Sequence, residues 1–158
     1  MTAIDDYKAT LRHLIKRYNA EDVLEIGVEK GVSTDVFLRE GCKLTSIDIE
    51  KPTYETKLSH YSWKIHYGDS SEVLGKEELG KFDMIFLDAF YTYKRLEHDV
   101  PLAWNLLNEG GILVFNEYID FANHRGSEVE RFVHNWANVN MRPFTVYPLR
   151  NGFAVFEK

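Results

Sequence analysis

Ile4, Tyr7, Leu11, Leu14, Ile15 and Tyr18 recur at three- and four-residue intervals, which predicts an amphipathic helix opened by a Thr2 cap. After Asn19-Ala20 the period changes, and Asp22 to Ile26 reads as a short buried strand. Val32, Val36 and Phe37 restore helical spacing up to Gly41, and Leu44 to Ile49 forms a second strand. The stretch Glu50 to Ser62 carries Pro52 and weak periodicity, so it reads as loop or irregular helix. Lys64 to Tyr67 is a third strand, followed by a helix from Ser70 or Ser71. Phe82 to Leu87 is almost unbroken in its apolarity, the mark of a central parallel strand covered on both faces. Tyr93, Leu96, Val100, Ala103, Trp104 and Leu107 then mark a helix, with Pro101 predicting a restart behind an Asp99 cap. Gly110-Gly111 is expected to end that helix, and Ile112 to Phe115 is a fifth strand. Ser127-Glu128-Val129-Glu130 is a capping-box pattern for a helix with Val129, Phe132, Val133 and Trp136 inward. Phe144 to Leu149 and Phe153 to Phe156 are strand-like and flank Arg150-Asn151-Gly152, a hairpin turn signal.

Strands alternating with helices predict an α/β fold: a doubly wound, Rossmann-like, seven-stranded, mostly parallel sheet. Helices cover both of its faces and an antiparallel hairpin closes it at the C-terminal end. The 158 residues suit a single domain spanning 1–158, with residues 1–19 as an N-terminal helical extension. Three Trp, nine Tyr and ten Phe, within a chain that is 44% hydrophobic, supply a core and exclude disorder. A formal net charge of -6 argues against a nucleic-acid partner, which requires clustered Lys and Arg. Lys8, Arg12, Lys16 and Arg17 read instead as the solvated face of the first helix. Cys42 is the only cysteine, so no disulfide pairs within the chain. Asp5 and Asp6 stand where a signal peptide would be basic, and no apolar run reaches membrane-spanning length. A cytoplasmic protein with no membrane partner is expected.

The first strand runs into Glu25-Ile26-Gly27-Val28-Glu29-Lys30-Gly31-Val32-Ser33-Thr34. A glycine turn between a first strand and a helix lets backbone approach a bound nucleoside. A dinucleotide fits poorly, because only Gly27 and Gly31 are present and Glu29 stands where a middle glycine would face the pyrophosphate. A nucleoside bearing an ammonium and a sulfonium, without phosphate, escapes that repulsion. This segment resembles the first motif of class I S-adenosylmethionine-dependent methyltransferases, and is similar to the small-molecule O-methyltransferase group that includes macrolide-sugar methyltransferases.

Further acids fall at the ends of successive predicted strands: Asp48, Asp69 and Asp88. Open α/β sheets bind ligands beyond the carboxyl ends of their strands, so these groups should converge on one crevice. Asp48, about 20 residues past the first glycine, suits the two ribose hydroxyls. Asp69, with Ser70 beside it, suits the exocyclic amine of adenine. Glu25 and Gly27 are expected under the methionine part of the ligand. Glu29, Gly31, Ser33, Ile49 and Asp88 complete the expected S-adenosylmethionine set.

Leu87-Asp88-Ala89-Phe90-Tyr91-Thr92-Tyr93, with Asp99 further on, resembles the D-G-x-H-x-Y segment of the same group. Ala89 replaces its glycine, and Tyr91 replaces a histidine that is a candidate base there. Related catechol-type enzymes hold a divalent metal near this position, which implies Asp88, Asn116 and Glu117 as three oxygen donors. The preferred reading is that no metal is held and that Asp88 orients the methionine ammonium. Candidate bases are His98, Tyr91, Glu117 and Asp88. Phe90, Tyr91, Tyr93, Tyr118 and Phe121 lie on loops expected to roof a pocket for a small-molecule methyl acceptor, bonded through oxygen or nitrogen. No insertion is long enough for a lid domain, so the first helix, those loops or a second subunit of a homo-oligomer must complete the pocket. Two other readings stay open: a non-catalytic interaction module on the same fold, and a nucleotide-dependent oxidoreductase.

Overall fold

A computed structural model describes residues 2–53, 62–119, 124–149 and 152–158, with the side chains of 77 and 124–127 excepted. Helix α1 (Ala3–Arg17) opens with a reciprocal cap, in which Thr2 accepts from the Asp5 N–H and the Asp5 carboxylate takes the Thr2 N–H at 2.9 Å. The helix lays Leu11, Leu14 and Ile15 into the core. Its outer face is tied to the end of the next helix by Arg12 and Lys16, at 3.2 and 3.5 Å from Glu40.

Strand β1 (Asp22–Ile26), helix α2 (Val32–Arg39) and strand β2 (Lys43–Asp48) follow, then β3 (Trp63–Tyr67), the single turn α3 (Ser70–Val73) and β4 (Phe82–Leu87). Helix α4 (Tyr93–Leu106), strand β5 (Leu107–Phe115), helix α5 (His124–Asn140), β6 (Thr145–Tyr147) and β7 (Phe153–Glu157) complete the fold. The strands form one seven-stranded sheet in the order β3-β2-β1-β4-β5-β7-β6. The first five strands are parallel, and β7 inserts antiparallel between β5 and β6. The predicted doubly wound sheet with a closing antiparallel pair is therefore the observed architecture. The hairpin turn expected at Arg150-Asn151 and most of the stretch from Glu50 to Ser62 lie outside the described residues.

Side-chain alternation along the strands builds two cores. Met84, Phe86, Ile112, Val114, Phe153 and Val155 pack with Leu11, Leu14, Val36 and Phe37 on the α1/α2 face. Ile85, Leu87, Leu113, Phe115, Ala154 and Phe156 pack with Leu96, Val100, Phe132 and Val133 on the α4/α5 face. Burial on both faces is why Phe82–Leu87 carries almost no polar residue.

Three boundaries differ from expectation. Helix α4 runs unbroken through Pro101, and Asp99 is no cap: it is wholly buried and accepts the Ser70 hydroxyl at 2.6 Å. The donor missing at Pro101 would have served the carbonyl of Glu97, an exposed residue, so the helix holds its course. Gly110-Gly111 does not end α4 but lies inside β5, which begins at Leu107. Its pairing with β4 shifts register between Phe82 and Met84, and a Cβ on Gly111 would stand 2.9 Å from the Asp83 carbonyl oxygen. The glycine pair thus serves a bulge. Helix α5 begins at His124, ahead of the predicted Ser127, and Glu128 caps another helix by accepting the Tyr93 N–H of α4 at 2.9 Å.

Candidate active site

At the end of β1 the chain turns through Gly27, whose φ is +94°. A Cβ there would sit on the carbonyl of Asp88 and 2.9 Å from the Ala89 nitrogen. Only glycine lets the ends of β1 and β4 lie this close. Glu29 and Gly31 also take positive φ, 46° and 68°. Asp48, at the end of β2, holds the loop in this shape: its Oδ2 accepts the N–H groups of Val28 and Glu29 at 2.8 and 3.3 Å. Its Oδ1 accepts from the Glu50 N–H at 3.1 Å.

The crevice so framed is a cavity of about 540 Å³ at the carboxyl ends of β1 to β5, within the range of small-molecule sites. Of the expected residues, Gly27, Glu29, Asp48, Ile49, Asp69, Ser70, Asp88, Tyr91 and Glu117 lie on its wall. Glu25, Gly31, Ser33 and His98 do not. Glu25 is turned into the core, where Ser33, Thr34 and Ser46 all donate to its carboxylate. Burial raises its pKa to about 7, with the three hydroxyls opposing the rise. Ser33 is thereby spent on Glu25. Gly31 donates its N–H to the Val28 carbonyl at 2.7 Å and starts α2. His98 places Nδ1 3.2 Å from Asp99, off the wall.

Asp88 ends β4 on the cavity. Asn116 donates its side-chain amide to Oδ1, and the Tyr7 hydroxyl reaches Oδ2 at 3.5 Å. Burial pushes the Asp88 pKa up to about 7, opposed by the Asn116 hydrogen bond and reinforced by Glu25 and Glu117. Tyr91, 5% exposed, has no hydrogen-bond partner for its hydroxyl among the described residues. Burial, with Asp99 and Asp88 nearby, holds that phenol well above its usual pKa, so it is neutral and a poor base.

The candidate metal trio of Asp88, Asn116 and Glu117, which is not the preferred reading, fits a cation badly. Asn116 meets Asp88 with an amide nitrogen, so the pair offers a donor where a second oxygen was needed. No group of three His, Cys, Asp or Glu side chains converges among the described residues. A nucleoside with cationic groups fits better. Besides Glu29, four acidic residues (Asp48, Asp69, Asp88 and Glu117) and a single guanidinium, Arg95, line the cavity. Ile49 and Phe90 are 71% and 64% exposed on the same wall, apolar surface suited to a flat ring. Glu29 holds its carboxylate out into solvent, 85% exposed and 3.7 Å from Lys30.

Sequence reading missed Arg95 and Tyr7. Arg95 is bound to Asp69 and stands 3.5 Å from Asp99. Its four-residue offset from Asp99 is a legible helical pair, whereas nothing local marks Tyr7, which meets Asp88 from 81 residues away.

This architecture belongs to a known class. The methyltransferase domain family matches residues 24–118, and the chain belongs to that family. An Arabidopsis thaliana protein provisionally named a caffeoyl-CoA O-methyltransferase is 32% identical over 123 residues, covering 70% of this chain and 52% of its own length. The chain thus spans about half of that relative. An O-methyltransferase from Bacillus cereus, solved with S-adenosylhomocysteine, superposes with a TM-score of 0.71 at 20% identity, covering 96% of this chain and 80% of its own. The TDP-rhamnose 3'-O-methyltransferase CalS11 of calicheamicin biosynthesis gives a TM-score of 0.71 at 12% identity, covering 96% and 78%. At such identities the likeness establishes the fold. Among the described residues no helix is long and apolar enough to cross a membrane.

Proposed function

We propose that this protein transfers the sulfonium methyl of S-adenosylmethionine to an oxygen, or secondarily a nitrogen, of a small-molecule acceptor. One observation carries the reading: the cavity is lined by Asp48, Asp69, Asp88 and Glu117 against one guanidinium, which favours a cationic nucleoside and repels a pyrophosphate. Asp48 and Asp69 would hold the ribose and the adenine amine, and Asp88 the methionine ammonium. The named activities of the relatives support methyl transfer to oxygen. The cofactor supplies an electrophilic methyl whose bond to sulfur breaks as the bond to the acceptor forms, leaving a neutral thioether. The protein's part is to align the acceptor in line with that bond and to take the acceptor's proton. Two wall carboxylates are suited to receive it: Asp88, whose pKa near neutrality is efficient for a base, or Glu117 where Asp88 is committed to the ammonium. Tyr91, neutral and enclosed, is not.

The fold favours this reading over a nucleotide-dependent oxidoreductase, because β7 enters antiparallel beside β5 where a further parallel strand would be expected. The non-catalytic reading draws on Tyr91, which replaces the histidine of the resembling group and offers no base. A cytoplasmic setting without a nucleic-acid or membrane partner agrees with the net charge of -6 and the buried thiol of Cys42.

Thermal shift tests the cofactor. S-adenosylhomocysteine should raise the melting temperature, as any ligand of the folded state does, while NAD and NADP should leave it unchanged. Asp48→Ala should abolish the shift. A larger shift with a dinucleotide would refute the assignment. Incubation with methyl-labelled S-adenosylmethionine and separate metabolite, RNA, DNA and protein pools then tests the acceptor. Label is expected among the metabolites; binding with no transfer to any pool would favour the interaction module.

A further inference from the structure

The cofactor-end wall holds an ion pair that no part of the methyl-transfer chemistry requires. Arg95, from the first turn of α4, reaches across to the end of β3 and binds the Asp69 carboxylate. The same guanidinium stands 3.4 Å from the Ser71 hydroxyl oxygen and 3.5 Å from buried Asp99. Asp69 in turn accepts the Ser71 N–H at 2.9 Å and the Ser71 hydroxyl, both on Oδ1, while its Oδ2 faces Arg95. Both side chains lie on the cavity wall and are about one-third open to it, 34% and 33% exposed.

Counting the partners shows what is left over. A carboxylate offers about four lone-pair sites, and three of Asp69's are taken by Ser71 and Arg95 among the described residues. The guanidinium fork carries more N–H donors than its three partners use. The pair therefore presents one acceptor beside one or more donors, fixed side by side because Ser71 and Asp99 brace both groups. Asp69 is held as a carboxylate, its pKa lowered to about 2 chiefly by the Arg95 hydrogen bond. Exposed Ile49 and Phe90 on the same wall offer apolar surface to a flat heterocycle.

An edge that carries a donor next to an acceptor matches this arrangement. Adenine has such an edge, with its exocyclic amine beside a ring nitrogen lone pair. Hypoxanthine reverses it, placing a carbonyl oxygen against the carboxylate and an N–H against the guanidinium. We propose that Arg95 and Asp69 act together as the base-reading pair of the site, making Arg95 a specificity-determining residue that selects adenine in the cofactor. The inference rests on the S-adenosylmethionine reading above and assigns Arg95 a contact with the ligand.

Calorimetry with S-adenosylhomocysteine and its deaminated analogue, S-inosylhomocysteine, tests it without any acceptor. The wild-type protein should prefer the adenine compound by about 30-fold or more, since a mismatched pair leaves polar groups on both sides unsatisfied. Arg95→Lys keeps a cation between Asp69 and Asp99 but loses the planar fork, and its preference should fall below about fivefold. Asp69→Asn, whose amide can turn to donate or accept, should relax the preference likewise. Melting curves would confirm that each variant is folded. Equal binding of the two ligands by the wild type, or full discrimination retained in both variants, would overturn the proposal while leaving the cofactor assignment intact. Failure of the wild type to bind S-adenosylhomocysteine at all would remove the cofactor assignment, and this inference with it.

Discussion

The hydroxyl of Tyr7 lies 3.5 Å from Oδ2 of Asp88, joining the first helix to the end of the central strand β4. The Tyr7 ring is fixed edge-on against Phe86 and Phe153, at centroid distances of 6.4 and 5.2 Å, so the contact is anchored by packing. Helix α1 is therefore part of the site's construction, and Asp88 is held between a phenol and the Asn116 amide.

Removing that phenol should be visible in the titration of Asp88. Tyr7 donates to the charged form and opposes the rise that burial imposes. Tyr7→Phe is expected to move the Asp88 midpoint upward by about half a unit to one unit, as read by carboxyl-carbon NMR. An unchanged midpoint would show that the contact has no electrostatic weight.

Stability should fall as pH rises through neutrality. Asp88 and Glu25 both have folded-state pKa values raised to about 7, well above those of an unfolded chain. Between the unfolded and folded values the native state binds more protons than the unfolded one, so stability is highest toward pH 4–5 on this count and declines up to about pH 7. Asp69, depressed to about 2 by Arg95, works in the opposite sense only at more acidic pH. The free protein should melt at least about 4 °C higher at pH 5.5 than at pH 8, and Glu25→Gln should flatten that slope. Scanning calorimetry across this range measures both.

Gly27→Ala should be far costlier than Gly41→Ala. Both glycines have positive φ, 94° and 84°, but a Cβ at Gly27 collides with the Asp88-Ala89 peptide, while one at Gly41 meets nothing within 4 Å. We expect about 1 kcal/mol for Gly41→Ala from backbone strain alone, and at least about 3 kcal/mol for Gly27→Ala. Urea unfolding of the two variants gives the comparison, and equal losses would mean that the β1–β4 junction yields.

Metal removal should change little. The Asn116 amide directed at Asp88 leaves the oxygen set incomplete. EDTA is therefore expected to alter transfer activity less than about tenfold, and to leave the stabilisation by S-adenosylhomocysteine unaffected. Activity lost to EDTA and restored by Mg²⁺ would show that Asn116 turns its oxygen inward.

Much of the fold was legible along the chain. Period-two and period-3.6 patterns report which side of an element is buried, and the apolar run Phe82–Leu87 announced the centre of the sheet. The strand-end acids were legible for the same reason: parallel βα units carry every strand's carboxyl end to one edge, so Asp48, Asp69 and Asp88 were brought to one cavity. Periodicity is blind to what a polar residue meets across the structure. Glu25 reads as a ligand contact until three hydroxyls from α2 and β2 enclose it. Pro101 and Gly110-Gly111 read as breaks, yet the helix and the bulged strand around them accommodate both. The Arg95–Asp69 and Tyr7–Asp88 pairs were decided only when the helices docked. Local propensity depends on neighbours within a turn or a strand, whereas the partner of a side chain is chosen by the packing of elements distant in sequence, which no local pattern encodes.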